Sequence, residues 1–145
     1  MPVDIQVLGR AVKQLQYRHH RVLDRRLRAA GTSLAQWDAL RAISNRPQSS
    51  AHALAEMTFQ TDQSFGGLAN RLVKQGLIER VVGPGRAIRH RLTPKGSAVL
   101  RKGHAVTGGV LEDSFAPLSS AQREQLFKLI RRTLSEGQPP QEVGL

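Results

Sequence analysis

The chain has 145 residues, enough for one domain with a real hydrophobic core, and 39% of them are apolar, so it is expected to fold. Twenty-two Lys and Arg stand against 11 Asp and Glu, a net charge of +11, which points to a polyanionic partner: nucleic acid first, an anionic membrane surface second. With no cysteine, disulfides, thiolate nucleophiles and Cys-type zinc sites are excluded.

The excess charge is unevenly placed. Residues 1–30 hold seven basic and two acidic groups, residues 31–96 nine and four, and residues 97–145 only six and five. The positive field therefore belongs to the first two-thirds of the chain. The N-terminus lacks a basic region followed by an apolar one, and no apolar run approaches the length of a membrane span, so a cytoplasmic, unprocessed protein is expected.

In chain order, Ile5, Leu8, Val12, Leu15, Val22 and Leu27 recur at helical spacing, predicting a helix from Ile5 to about Ala29. At 1.5 Å per residue it would be about 37 Å long. A helix of that length in a small protein usually buries its stripe on a second chain. Gly31 ends it, and Ser33 with Gln36 reads as a capping box opening a second helix to about Ser44, broken at Asn45-Arg46-Pro47. Ser50 caps a third helix through Met57, and Thr61 a fourth to Lys74, stopped by Gly76.

The period then changes to two. Leu77–Val82 and Ile88–Thr93 are expected to pair as strands around Gly83-Pro84-Gly85, with Ile88, His90 and Leu92 on one face and Arg89 and Arg91 on the other. Pro94 opens a fifth helix towards Ser114, weakened by Gly103, Gly108 and Gly109. Ser119 or Ser120 caps a sixth, on which Leu126, Phe127, Ile130 and Leu134 face one way. Everything after Gly137 is rich in Pro and Gly and is expected to be loose.

That order gives a mainly α fold with a small β-hairpin wing: a winged helix-turn-helix flanked by N- and C-terminal dimerisation helices. The expected division is residues 1–30 for the first dimerisation helix, 31–96 for the DNA-binding unit, 97–137 for the C-terminal dimerisation helices and 138–145 for a tail, all in one compact domain. Pairing would use Ile5, Leu8, Val12, Leu126, Phe127, Ile130 and Leu134.

Two stretches resemble the MarR family of bacterial regulators: Ala53-Leu54-Ala55-Glu56 through Leu72-Val73-Lys74-Gln75-Gly76-Leu77-Ile78-Glu79-Arg80, and Arg91-Leu92-Thr93-Pro94-Lys95-Gly96. The resemblance implies a homodimer on a palindromic operator, often released by a small ligand. Family wings commonly carry Asp-Arg-Arg before the second strand. Here the stretch reads Pro84-Gly85-Arg86-Ala87, so only Arg86 matches and the wing is shorter.

The polar face of the fourth helix, Gln63, Ser64, Gly67, Asn70, Arg71 and Lys74, suits the major groove, where Arg grips guanine and Asn or Gln adenine. Thr61 adds a hydroxyl and helix-terminal N–H groups for a phosphate. Arg86, Arg89 and Arg91 form a basic wing suited to the minor groove. Gly66-Gly67 is read in two ways: close approach of backbone to DNA, or simply a poor helix. Arg18, Arg21, Arg25 and Arg28 share one face of the first helix and could meet phosphates, a partner's acids, an anionic effector or only water.

Tyr17, His20 and Trp37 could converge where the first two helices pass, with Arg21 or Arg41 for a carboxylate, giving a candidate effector site; the plainer reading is ordinary packing. His20, Asp24 and His104 make too thin a set for a metal, and no cofactor is expected. P-loop, GxGxxG, HExxH and GxSxG patterns are absent, so catalysis is not expected. The sequence reading is thus a DNA-binding transcriptional regulator, a repressor acting as a homodimer on double-stranded DNA, with no membrane partner. Its main rival is a non-specific or architectural nucleic-acid binder without an effector. A membrane-surface role is disfavoured because the basic helix has no Trp or Phe anchor.

Overall fold

The computed structural model describes residues 1–135; the expected tail, and the last two residues of the 97–137 segment, lie outside the described residues. The element order is α1 (Ile5–Ala29), α2 (Leu34–Asn45), α3 (Ala51–Met57), α4 (Asp62–Lys74), β1 (Ile78–Val82), β2 (Ile88–Leu92), α5 (Pro94–Phe115) and α6 (Ser120–Ser135). The expected mainly α fold with one hairpin is the observed one.

Each helix begins where a short polar side chain satisfies its free N–H groups. The Asp4 carboxylate accepts from the amides of Gln6 (2.8 Å) and Val7 (3.1 Å). Ser33 accepts from Gln36, Ser50 from Ala53 and Thr61 from Ser64, each at 3.1 Å. The reciprocal half of the expected box at α2 does not form, because the Gln36 side-chain oxygen takes the Thr32 hydroxyl instead, at 3.3 Å. A full box forms at α6: Ser119 accepts from the Gln122 amide at 3.2 Å, and the Gln122 side chain accepts from the Ser119 amide at 2.9 Å.

Ala39, Leu40, Ile43, Leu54, Ala55, Phe65, Leu68, Ala69, Leu72, Leu77 and Ile78 form the core, so it sits among α2, α3, α4 and the root of the hairpin. The strands are antiparallel, with Ile78 opposite Leu92, Glu79 opposite Arg91, Arg80 opposite His90 and Val82 opposite Ile88. His90 is buried as the alternation requires, but Ile88 is 56% exposed, because the hairpin runs beyond the core at its tip. Thr93 ties the hairpin root to α5: its amide donates to the Leu77 carbonyl (3.1 Å) and its hydroxyl to the Gly76 carbonyl (2.5 Å) while accepting from the Gly96 amide (3.1 Å).

Outside this unit, α1 packs on α5 and α2. His19 on α1 shares a 2.5 Å hydrogen bond with Ser114 of α5 and meets Phe115 edge-on at 5.2 Å. Burial, and secondarily Arg18, lowers the pKa of His19. Of the six apolar positions of the α1 stripe only Leu27 is buried, and Ile5, Leu8 and Val12 are exposed. No residue of α6 is buried, leaving Phe127, Leu129, Ile130 and Leu134 on the surface.

Candidate nucleic-acid interface

The short helix α3 ends on Thr58, and Phe59 follows with φ of 57°, in the left-handed region that a helix-terminating glycine usually occupies. The Gln60 amide donates to the Ala55 carbonyl at 2.9 Å, closing the turn that aims α4 away from α3. Phe65, Leu68, Ala69 and Leu72 anchor α4 in the core. That leaves Gln63, Ser64, Gly67, Asn70, Arg71 and Lys74 all exposed on the opposite side, with Thr61 exposed at the helix start. The Thr61 oxygen is engaged in the cap, and Ser64 donates to Gln60 at 3.3 Å.

Two further contacts, not legible in the sequence, shape this face. Asn70 accepts a hydrogen bond from Arg80 of β1, so its amide is oriented by a cation that the sequence reading did not assign to the site. Asp62, the acid of the first turn of α4, is bound at 2.8 Å by Nδ1 of His52 on α3, while Nε2 of the same ring meets Glu56 at 3.1 Å. The hydrogen bond to Asp62, then the charges of Asp62 and Glu56, raise the His52 pKa. The i,i+4 spacing of His52 and Glu56 was the available sequence signal.

At the wing tip, residues Pro84–Arg86 form a single 3₁₀ turn closed by the Gly83 amide on the Ala87 carbonyl at 2.6 Å. Gly85 and Arg86 both have positive φ, 68° and 61°, and Arg86 is exposed at the apex. Arg89 is half-buried and donates to the Ile88 carbonyl at 3.2 Å. Arg91, expected to serve the basic wing, has an acidic neighbour. Its guanidinium pairs with Glu79 directly across the ladder, Nε at 2.8 Å and a terminal nitrogen at 2.7 Å, so its charge is compensated. The acid comes from the other strand.

Beneath the interface lies His90, only 6% exposed, its ring edge-on to Phe65 at 6.4 Å and its Nδ1 without a hydrogen-bond partner. Burial first, and Arg80 second, lower its pKa below the usual 6.5. The unfolded chain therefore binds a proton near pH 6 that the native ring resists. This share of stability is complete above about pH 6.5 and is lost as pH falls towards the depressed native value. Replacing His90 by Gln is expected to flatten the decline in stability between pH 7 and pH 5, as read by urea unfolding; an undiminished decline would show that His90 does not carry it.

The suggested effector residues are not brought together. Trp37 is buried against Gly103, with its ring N–H on the Leu100 carbonyl at 3.2 Å and Arg41 stacked 5.5 Å away. Trp37 and Arg41 line a cavity of about 420 Å³ with Asn45, Arg101 and His104. Tyr17 instead lies exposed under Arg21, at 5.7 Å, and His20 and Arg21 line a different cleft along α1. The helices cross so that α5, not α1, covers Trp37. Among the described residues no group of three His, Asp or Glu side chains could hold a metal.

The MarR family model matches residues 30–87, from the end of α1 to the wing. That segment, which holds the helix-turn-helix and most of the wing, is similar to the MarR family. The likeness in fold to solved structures extends over the flanking helices as well. A mutant of MarR from E. coli complexed with operator DNA is 22% identical, covering 91% of this chain and 99% of that one at a TM-score of 0.79. A probable transcriptional regulator from Pseudomonas aeruginosa is 28% identical over 87% and 96% of the two chains, at 0.74. A MarR family protein of Mycobacterium tuberculosis, in complex with p-aminosalicylic acid, is 21% identical over 87% and 97%, also at 0.74. No curated protein sequence matches significantly. The residues matched by the family model include the whole of α4, and Thr93 and Gly96 lie beyond them. No helix among the described residues is long and apolar enough to cross a membrane.

Proposed function

We propose that this protein is a homodimeric transcriptional repressor that seats α4 of each copy in the major groove of a palindromic operator. The observation that carries the reading is the exposed polar face of α4, built from Gln63, Ser64, Asn70, Arg71 and Lys74 over a fully apolar underside. Arg71 suits guanine and the Arg80-oriented amide of Asn70 suits adenine. Arg86 at the wing apex suits the narrow minor groove, with Arg89 behind it; Arg91, paired to Glu79, serves the hairpin more than the DNA.

Pairing is supported by what the monomer leaves uncovered. Ile5, Leu8 and Val12 at one end of α1, and Phe127, Ile130 and Leu134 on α6, are exposed apolar side chains on opposite ends of the sequence. Leu126, Phe127 and Ile130 also line an apolar groove of about 350 Å³ between α5 and α6. In this reading residues 1–30 and the C-terminal helices dimerise while residues 31–96 hold DNA, without catalysis and without a cofactor. A small aromatic acid would be the releasing ligand, entering the cavity of Trp37, Arg41, Arg101 and His104, where an aromatic floor adjoins cations.

Charge alone would equally serve a non-specific binder, so the test is selectivity. Duplexes selected by the protein from a random pool are expected to share a palindrome and to bind at least about 10³-fold more tightly than random duplex. Equal affinity for both would sink the reading. Against a selected duplex, Arg71→Ala is expected to lose roughly 1–3 kcal/mol of discrimination at one base position. Arg86→Ala should weaken all sequences alike and lower the salt slope by about 0.9. Unchanged preference in Arg71→Ala would show that α4 is not the reading helix.

A further inference from the structure

The arginine stripe of α1 is not an isolated solvated face. A cleft of about 560 Å³ opens between the end of α1, the start of α2 and α4, and Arg28, Ser33, Gln36 and Arg71 line it. A second, of about 360 Å³, runs back along α1 and is lined by His20, Arg21, Asp24, Arg25 and the same Arg28. The two clefts share Arg28. Taken together, the two adjoining clefts make a basic trough whose lining runs from Arg71 on α4 to His20 and Arg21 near the middle of α1.

Its charge balance is positive. Asp24 is the one acid lining it, and that carboxylate is committed: Arg28 binds it at 2.8 Å and the Leu34 amide at 3.0 Å. The Arg28 hydrogen bond, then that of Leu34, hold its pKa down, so it stays ionised and cancels Arg28 alone. Arg21, Arg25 and Arg71 remain, and none of them has an acidic partner among the described residues. All three are exposed. Arg21 and Arg25 present their charges about 6 Å apart along the helix axis, both at the surface. That suits an extended polyanion.

We infer that α1 is a second DNA-binding element, in which Arg21 and Arg25 hold backbone phosphates next to the stretch read by Arg71. The inference rests on the DNA-binding reading above and extends it to a helix otherwise assigned to pairing. Such contacts set affinity and register but not sequence.

The experiment uses the full chain and a duplex that the wild type selects from a random pool. Arg28 is left intact because its Asp24 pair also supports the start of α2. The double variant R21A/R25A is compared with K102A/R132A, which removes the same two charges from exposed positions of α5 and α6. R21A/R25A is expected to lower the slope of log affinity against log salt by about 1.8 and to weaken every sequence alike, while K102A/R132A stays near the wild-type slope. If both variants behave alike, only the general field matters and the inference is overturned. It is also overturned if R21A/R25A binds DNA normally but no longer responds to salicylate, which would make the trough a small-anion site. If the wild type itself selects no sequence, the proposed function fails; a slope change seen on random duplex would still uphold the trough.

Discussion

Gly96→Ala is expected to cost the fold about 3 kcal/mol, at the upper end for an overpacked site. A Cβ at Gly96 would stand 1.9 Å from the Leu77 carbonyl oxygen and 2.9 Å from its carbon. Both are backbone atoms, so no side chain can swing away. The same carbonyl accepts the Thr93 amide, and the Gly96 amide is itself capped by Thr93. Relieving the clash would therefore separate α5 from the hairpin root and loosen the cap, a loss of about 1 kcal/mol more. Domains of this size are stable by only about 5–15 kcal/mol, so the wing would be poorly held. Urea unfolding checks this, with Gly67→Ala as the control. Nothing lies within 4 Å of a Cβ at Gly67, and removing a glycine from a helix should stabilise it by about 0.8–1 kcal/mol. A Gly96→Ala protein as stable as wild type would contradict the close approach.

Ile130→Glu is expected to yield a folded monomer. Ile130 is 45% exposed and α6 buries none of its residues within the chain, so the substitution removes little from the monomer. Set in an apolar interface, however, the carboxylate would be desolvated without a partner. Loss of pairing converts binding of the second half-site from an intramolecular event to an independent one, which lowers affinity for a palindrome by about 10²–10⁴-fold. Sedimentation equilibrium and titration of the selected duplex read the two effects separately. An intact dimer would remove α6 from the proposed interface, whatever happens to DNA binding.

The glycines illustrate how differently similar residues act. Read along the chain, Gly103, Gly108 and Gly109 only weaken a helix. In the structure Gly103 lets Trp37 close on α5, its Cβ position being 2.2 Å from the indole Cδ1, while Gly108 and Gly109 face open space. Gly66 and Gly67 likewise touch nothing within 4 Å, so packing inside the chain does not account for them. That removes an internal steric reason for the pair.

Local chemistry was legible from residues alone. Ser33, Ser50 and Thr61 start helices because a short oxygen-bearing side chain can reach an amide three residues on, and that reach does not depend on the rest of the fold. Helix periodicity separated Phe65, Ala69 and Leu72 from Asn70 and Arg71 for the same reason. Tertiary structure alone decided which distant groups meet. Strand register put Glu79 against Arg91, the packing of α4 on β1 gave Asn70 to Arg80, and the crossing of α2 by α5 separated Trp37 from Tyr17. Such pairings depend on the relative placement of whole elements, which is set by the fit of many buried side chains at once and is written in no single stretch of sequence.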